Sequence, residues 1–141
     1  MDLMYLLPTA KIKECALSKV VLVVEDSLSM RHVITTTLVS GCYKVHEANN
    51  GIEALEVLSK KKVNIVISDV NMPEMDGISL VKKIKQLSEY KFLPIIMLTT
   101  ETSRSKIEEG KAAGAKAWIV KPFDPKQLLH SVSILIGTIG N

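Results

Sequence analysis

A chain of 141 residues that is 47% hydrophobic and 23% charged can bury a core in one domain without metal or disulfide staples. The net charge of +3 comes from lysines that are scattered apart from Lys60-Lys61-Lys62, and only 4% of residues are aromatic. That pattern lacks the clustered basic stripe and stacking aromatics of a nucleic-acid reader, so no nucleic-acid partner is expected.

No apolar run approaches the roughly 18 residues of a membrane span. Met1–Leu7 lacks a basic leader and meets Pro8 early, which makes a poor signal peptide. A cytoplasmic location with no membrane contact is expected. Cys15 and Cys42 show neither CxxC spacing nor paired histidines, so a zinc site is not expected and both are read as reduced thiols.

Residues 1–18 carry no clear period and are read as an N-terminal extension, with one domain over 19–141. Val20-Val21-Leu22-Val23-Val24 is a continuous apolar run, the mark of a strand covered on both faces. Ser27 then offers a helix N-cap, Met30, Val33, Ile34, Thr37 and Leu38 recur at helical spacing, and Gly41 ends the helix. Tyr43–Glu47 alternates, which predicts a strand at a sheet edge with one face wet. Asn49-Asn50-Gly51 turns the chain into a second helix bearing Ile52, Leu55 and Leu58, closed by the lysine triplet.

Ile65-Val66-Ile67-Ser68 is a short buried strand that runs directly into Asp69, and Pro73 with Met75-Asp76-Gly77 follows as a turn. A third helix begins at Gly77 with Ile78, Val81 and Ile84 inward. Ile95–Leu98 is the fourth strand, ending in Thr99-Thr100-Glu101. The fourth helix, about Ser105 to Ala113, has only Ile107 and alanines as apolar positions, so loose packing is expected. Lys116–Val120 is the fifth strand, and Leu128, Val132, Leu135 and Ile136 mark the last helix. Residues 137–141 are read as a tail too short for an output module.

This β-α alternation predicts an α/β fold, a single five-stranded parallel sheet with helices on both faces. Right-handed crossovers and an edge position for the second strand suggest the flavodoxin-like order 2-1-3-4-5. The carboxyl ends of strands one, three, four and five then share one edge, where such sheets place their chemistry. Glu25, Asp26, Asp69, Thr99 and Lys121 meet there. Like charges ~4 Å apart repel by about 4 kcal/mol at an effective dielectric of about 20, so crowded carboxylates need a cation or a proton. Hard oxygen ligands suit Mg²⁺, with Asp26 and Asp69 binding directly, the Asn71 backbone carbonyl a third ligand and Glu25 acting through a water. A carboxylate can also attack phosphorus and carry it as an acyl phosphate. Mg²⁺ and Lys121 would neutralise the transferred charge, and the Thr99 hydroxyl could bond another oxygen.

The same residues carry a family resemblance. Val-Val-Glu-Asp-Ser with Met30-Arg31, Ser-Asp-Val-Asn-Met-Pro with Met-Asp-Gly, Leu-Thr-Thr-Glu, and Ala-Gly-Ala-Lys-Ala-Trp-Ile-Val-Lys-Pro-Phe resemble the motifs of response-regulator receiver domains, over about Val20 to Gly137. The family shares the strand order given above, so that order rests on the resemblance as much as on the pattern. The resemblance implies phosphorylation of Asp69 by a sensor histidine kinase or by small phosphodonors. It implies an acidic Mg²⁺ pocket at Glu25, Asp26 and the Asn71 carbonyl. Lys121 matches the phosphate-contacting lysine, with a cis bond to Pro122, and Thr99 and Trp118 match the switch pair. Asn71 and Glu101 flank the site as residues that tune phosphoryl lifetime. Two departures stand out: Glu25 where aspartate is common, and Trp118 where tyrosine or phenylalanine is usual.

The function expected is therefore a stand-alone signalling receiver, not an enzyme beyond self-catalysed phosphoryl transfer and autodephosphorylation. It would switch a protein-binding face formed by the fourth helix, fifth strand and fifth helix. A downstream target such as the flagellar motor switch is expected, with a phosphatase as a further partner. The alternatives are a phosphorelay intermediate and a haloacid-dehalogenase-type phosphatase. The latter places its nucleophile in a D-x-D on the first strand, which this chain lacks.

Overall fold

The computed structural model describes residues 19–137; the extension expected at 1–18 and the last four residues lie outside that range. Five strands alternate with five α-helices: β1 (Val20–Val24), α1 (Leu28–Ser40), β2 (Lys44–Ala48), α2 (Gly51–Lys60), β3 (Ile65–Ser68), α3 (Gly77–Lys85), β4 (Ile95–Thr99), α4 (Arg104–Ala113), β5 (Ala117–Val120) and α5 (Pro125–Ile136). All strand pairs are parallel, in the order β2-β1-β3-β4-β5. The expected architecture and strand order both hold.

Side chains alternate across a strand, so each central strand feeds two cores. Leu22, Val24, Val66, Ile95 and Met97 face one layer, where Ala54 and Leu58 of α2 and Ile78, Val81 and Ile84 of α3 cover them. Val21, Val23, Ile65, Ile67, Ile96 and Leu98 face the other, against Ile34 and Leu38 of α1 and Leu128 and Val132 of α5. Both layers are apolar, which is why these strands read as unbroken hydrophobic runs rather than alternating ones. β2 alternates because it is an edge strand, with Lys44 and Glu47 exposed.

Helix starts follow local chemistry. The side chains of Ser27, Asn50, Asp76, Ser103 and Asp124 each accept a hydrogen bond from a backbone N–H of the helix they precede, satisfying a donor that has no intrahelical partner. α4 buries only Gly110, in keeping with its weak apolar stripe. Val33 and Ile52 were placed on inner faces by their spacing, yet both are about half exposed. They flank stripes centred on Ile34 and Leu38 in α1 and on Ala54 and Leu58 in α2. A 3₁₀ turn at Ser88–Tyr90 was not anticipated; it buries Tyr90, whose hydroxyl donates to the Lys61 carbonyl at 3.0 Å. The expectation of reduced thiols fails at Cys42, which is disulfide-bonded; Cys15, the other cysteine, lies outside the described residues.

Gly77 shows how tightly the fold closes around the end of β3. Its N–H donates to the Val70 carbonyl at 2.7 Å, and a Cβ built there would sit 2.0 Å from the Asp69 carbonyl oxygen and 2.8 Å from the Met97 methyl. The Asp69 oxygen is backbone and also accepts from the Ser68 hydroxyl at 2.8 Å, so it has no easy way to yield. Gly77→Ala should therefore lower stability by about 2–3 kcal/mol, at the upper end of overpacking costs, measured by urea denaturation.

Candidate functional site

The site forms because four strands end at the same edge. Val24 pairs with Ser68, Ser68 with Met97 and Thr99 with Val120, so the residues that follow β1, β3 and β5 emerge beside one another with Thr99 at the end of β4. One carboxylate oxygen from each of Glu25, Asp26 and Asp69 lies within 4.8 Å of the other two.

Lys121 holds two of these acids together. Its Nζ donates to Asp69 Oδ2 at 3.0 Å and, in a short contact, to Glu25 Oε1. The three side chains are 9%, 11% and 2% exposed, so these are interior ion pairs. Burial alone would lower the Lys121 ammonium below its ordinary value, but hydrogen bonds to Glu25 and Asp69 more than offset it and the net shift is upward. The Glu25 carboxyl is raised because burial outweighs the Lys121 bond and the Ser27 N–H, with Asp69 adding like-charge repulsion.

Backbone donors fix the remaining oxygens. Asp69 Oδ1 accepts from Val70 N at 2.6 Å and Asn71 N at 3.3 Å, so the carboxylate is aimed by its own turn. Glu25 Oε2 accepts from Ser27 N at 3.1 Å. The Asp26 carboxylate differs: it is exposed and has no hydrogen bond or ion pair among the described residues. One exposed carboxylate beside two anchored, nearly buried ones, all hard oxygen donors, fits a Mg²⁺-type cation that keeps several waters. Glu25, already shared between Lys121 and Ser27, suits an indirect role.

The other expected residues fall into place with differences. Thr99 is fully buried at the end of β4, and its Oγ1 accepts from Glu101 N at 3.2 Å with no hydrogen bond to Asp69. Trp118 donates from Nε1 to the Glu101 carbonyl at 3.0 Å. Its ring lies against Gly110, where a Cβ would come within 2.7 Å of Cζ3. The Glu101 carboxyl is held below its usual range, first by the Ser103 N–H and hydroxyl and then by Asn71. The Lys121–Pro122 bond is cis, as the resemblance implied.

Three contributors escaped the reading of individual residues. Arg31 donates from Nη1 to the Glu25 carbonyl at 2.7 Å and to Asn49 Oδ1, and from Nε to Glu47 Oε1 at 3.1 Å. It thereby ties the acidic turn after β1 to the turn after β2. Its place one turn into α1, behind Glu25-Asp26, was the available signal. Gly77 and Gly110 act by what they lack, and only the close approach of a neighbour reveals that.

Removing the shared cation tests these electrostatics. Lys121→Ala leaves Glu25 buried beside Asp69 without a counter-charge, and breaking a buried pair this way costs about 3–5 kcal/mol. Urea denaturation of the variant in EDTA should give a loss of that order near neutral pH. The loss should shrink as the pH falls and Glu25 takes a proton, and Mg²⁺ should restore part of it.

Comparison with known proteins agrees with this geometry. The model of the response regulator receiver domain family matches residues 21–133. A chemotaxis protein CheY homolog of Campylobacter jejuni is 43% identical over 119 residues, 83% of this chain and 92% of that protein. The structure of the chemotaxis response regulator CheY4 of Vibrio cholerae is 47% identical with a TM-score of 0.79, covering 84% of this chain and 98% of that one. The receiver domain of the sensor histidine kinase PA1611 of Pseudomonas aeruginosa, solved with a magnesium ion coordinated in its active site cleft, is 27% identical with a TM-score of 0.79 and covers 86% of this chain and 99% of that one. With a family model over residues 21–133 and a relative 43% identical over most of both chains, the chain is a member of the response-regulator receiver domains.

Proposed function

We propose that Asp69 accepts a phosphoryl group from a sensor histidine kinase, and that the phosphorylated chain acts by protein contact in chemotaxis, through a target such as the flagellar motor switch. The observation that carries the reading is Lys121 bridging Asp69 and Glu25 beside the free Asp26 carboxylate. The chemotaxis assignment draws on the names of the similar proteins, which this chain matches over most of their length. A cytoplasmic setting goes with it; no helix among the described residues is long and apolar enough to cross a membrane.

In the transfer, an Asp69 oxygen forms a bond to phosphorus as the bond from phosphorus to the donor imidazole nitrogen breaks. The nitrogen keeps that electron pair, and the product is an acyl phosphate on Asp69. The attacking atom is a carboxylate oxygen of Asp69. Val70 and Asn71 N–H groups hold it in line. Lys121, already bonded to an Asp69 oxygen, neutralises part of the charge on the new phosphoryl oxygens. Asp26, Asp69 and the Asn71 carbonyl would hold a Mg²⁺ ion, with Glu25 in an indirect role, and the ion would supply further charge neutralisation. In autodephosphorylation a water oxygen bonds to phosphorus as the bond from phosphorus to the Asp69 oxygen breaks, releasing inorganic phosphate and the Asp69 carboxylate, and Asn71 and Glu101 tune its rate.

The signal leaves through Thr99 and Trp118. Drawing the Thr99 hydroxyl toward a phosphoryl oxygen would release the Glu101 N–H, and Glu101 also carries the carbonyl that latches Trp118. α4, the least embedded helix, can then shift with β5 and α5 to present the binding face. Reversing a 1:99 population needs about 5.5 kcal/mol of differential binding. A few charge-assisted bonds supply part of that, and the partner completes it.

Two outcomes test this reading. The wild-type chain should take up phosphoryl from acetyl phosphate in Mg²⁺ but not in EDTA, and Asp69→Asn should take up none; persistent labelling of the variant would refute the site. Gly110→Ala should push the Trp118 ring outward and shift its emission to longer wavelength, readable because the chain has one tryptophan.

A further inference from the structure

The amino ends of the strands have a chemistry opposite to that of the phosphorylation edge. A lysine stands at or within four residues before the start of every strand: Lys19 before β1, Lys44 at β2, Lys62 before β3, Lys91 before β4 and Lys116 before β5. All five are exposed. Lys60 and Lys61 extend the cluster at the end of α2, and these two also complement the helix's carboxyl end.

A groove opens beside this cluster, with a cavity volume near 670 Å³. Its floor is apolar, made by Leu58, Val63, Tyr90 and Leu93, and Lys60, Lys61 and Lys62 form one rim. A second hollow of about 640 Å³ shares Leu58 and Tyr90 and prolongs the groove between α2 and α3, past Leu55, Leu87 and Lys83. The walls are fixed to each other, since the Tyr90 hydroxyl donates to the Lys61 carbonyl. Phe92 also lines the groove, 88% exposed, the most exposed large apolar side chain among the described residues, with the Lys91 ammonium 5.8 Å from its ring centre. Glu89 is the one acidic residue lining either hollow.

We infer that this groove docks an acidic segment of a protein partner, one that carries an apolar side chain between its carboxylates. Charge complementarity sets the sign of the partner, because the lysines line a rim opposed by a single carboxylate. The apolar floor and the unburied aromatic ring set the need for an apolar anchor. A concave, walled site favours a peptide over a flat lipid surface. The groove lies at the opposite end of the strands from Asp69 and is built from α2, α3 and the loops before β3 and β4, so its occupancy does not depend on the phosphorylation state. It would hold the receiver near a partner whether or not the receiver carries phosphate.

The test uses the full chain and a short fluorescein-labelled peptide of glutamates with interspersed leucines, read by anisotropy at low salt. A copy with glutamine in place of glutamate, and phosphatidylserine vesicles, serve as the other arms. The acidic peptide should bind, with affinity falling steeply as salt is added. Lys62→Glu with Lys91→Glu, both exposed and outside the helices, should weaken it by about a hundredfold, and Phe92→Ala by about tenfold. Beryllofluoride with Mg²⁺ should leave it unchanged, which separates failure here from failure of the phosphorylation reading. Equal binding of the glutamine peptide, indifference to the charge reversal, or preference for vesicles over peptide would overturn the inference.

Discussion

The contact of Lys121 with both Glu25 and Asp69 is the constraint that the rest of the site answers to. Three acids within 4.8 Å of one another repel strongly in a partly buried setting. An ammonium that touches two of them converts that repulsion into a defined geometry. The lysine is raised and the glutamate is raised, as expected when burial penalises both charges and the pairing compensates one more fully than the other. The arrangement is held ready for extra negative charge, because the cation is already seated beside the acceptor.

Around that contact the structure divides labour by distance. Backbone N–H groups of Val70 and Asn71 aim the acceptor, Gly77 lets the chain turn back over it, and Arg31 braces the acidic turn from behind. Farther out, Glu101 links two systems: its N–H meets Thr99 and its carbonyl meets Trp118. A displacement at one bond is thus felt at the other through a single residue. The tryptophan fits because Gly110 leaves room for it.

The fold was legible because its central strands are buried on two sides and Ser27 offered a cap, whereas the caps at Asn50, Asp76, Ser103 and Asp124 emerged only from the structure. The site was legible because Glu25, Asp26, Asp69, Thr99 and Lys121 all follow or end apolar runs, and a parallel sheet brings such ends to one edge. What periodicity could not convey was the width of each helix's buried stripe, hence the misplacement of Val33 and Ile52. It also could not convey contacts made by absence, as at Gly77 and Gly110, or the covalent state of Cys42. The 3₁₀ turn at Ser88–Tyr90 has no periodic signature, and only its Tyr90 anchor explains it.

The partners of Lys121 lie 52 and 96 residues earlier in the chain. During synthesis the acids therefore emerge first and remain without their cation until β5 has been made and docked. A growing or truncated chain that stops short of that strand displays mutually repelling carboxylates and no completed acceptor. The cluster of charges is thus completed only by the last strand of the sheet.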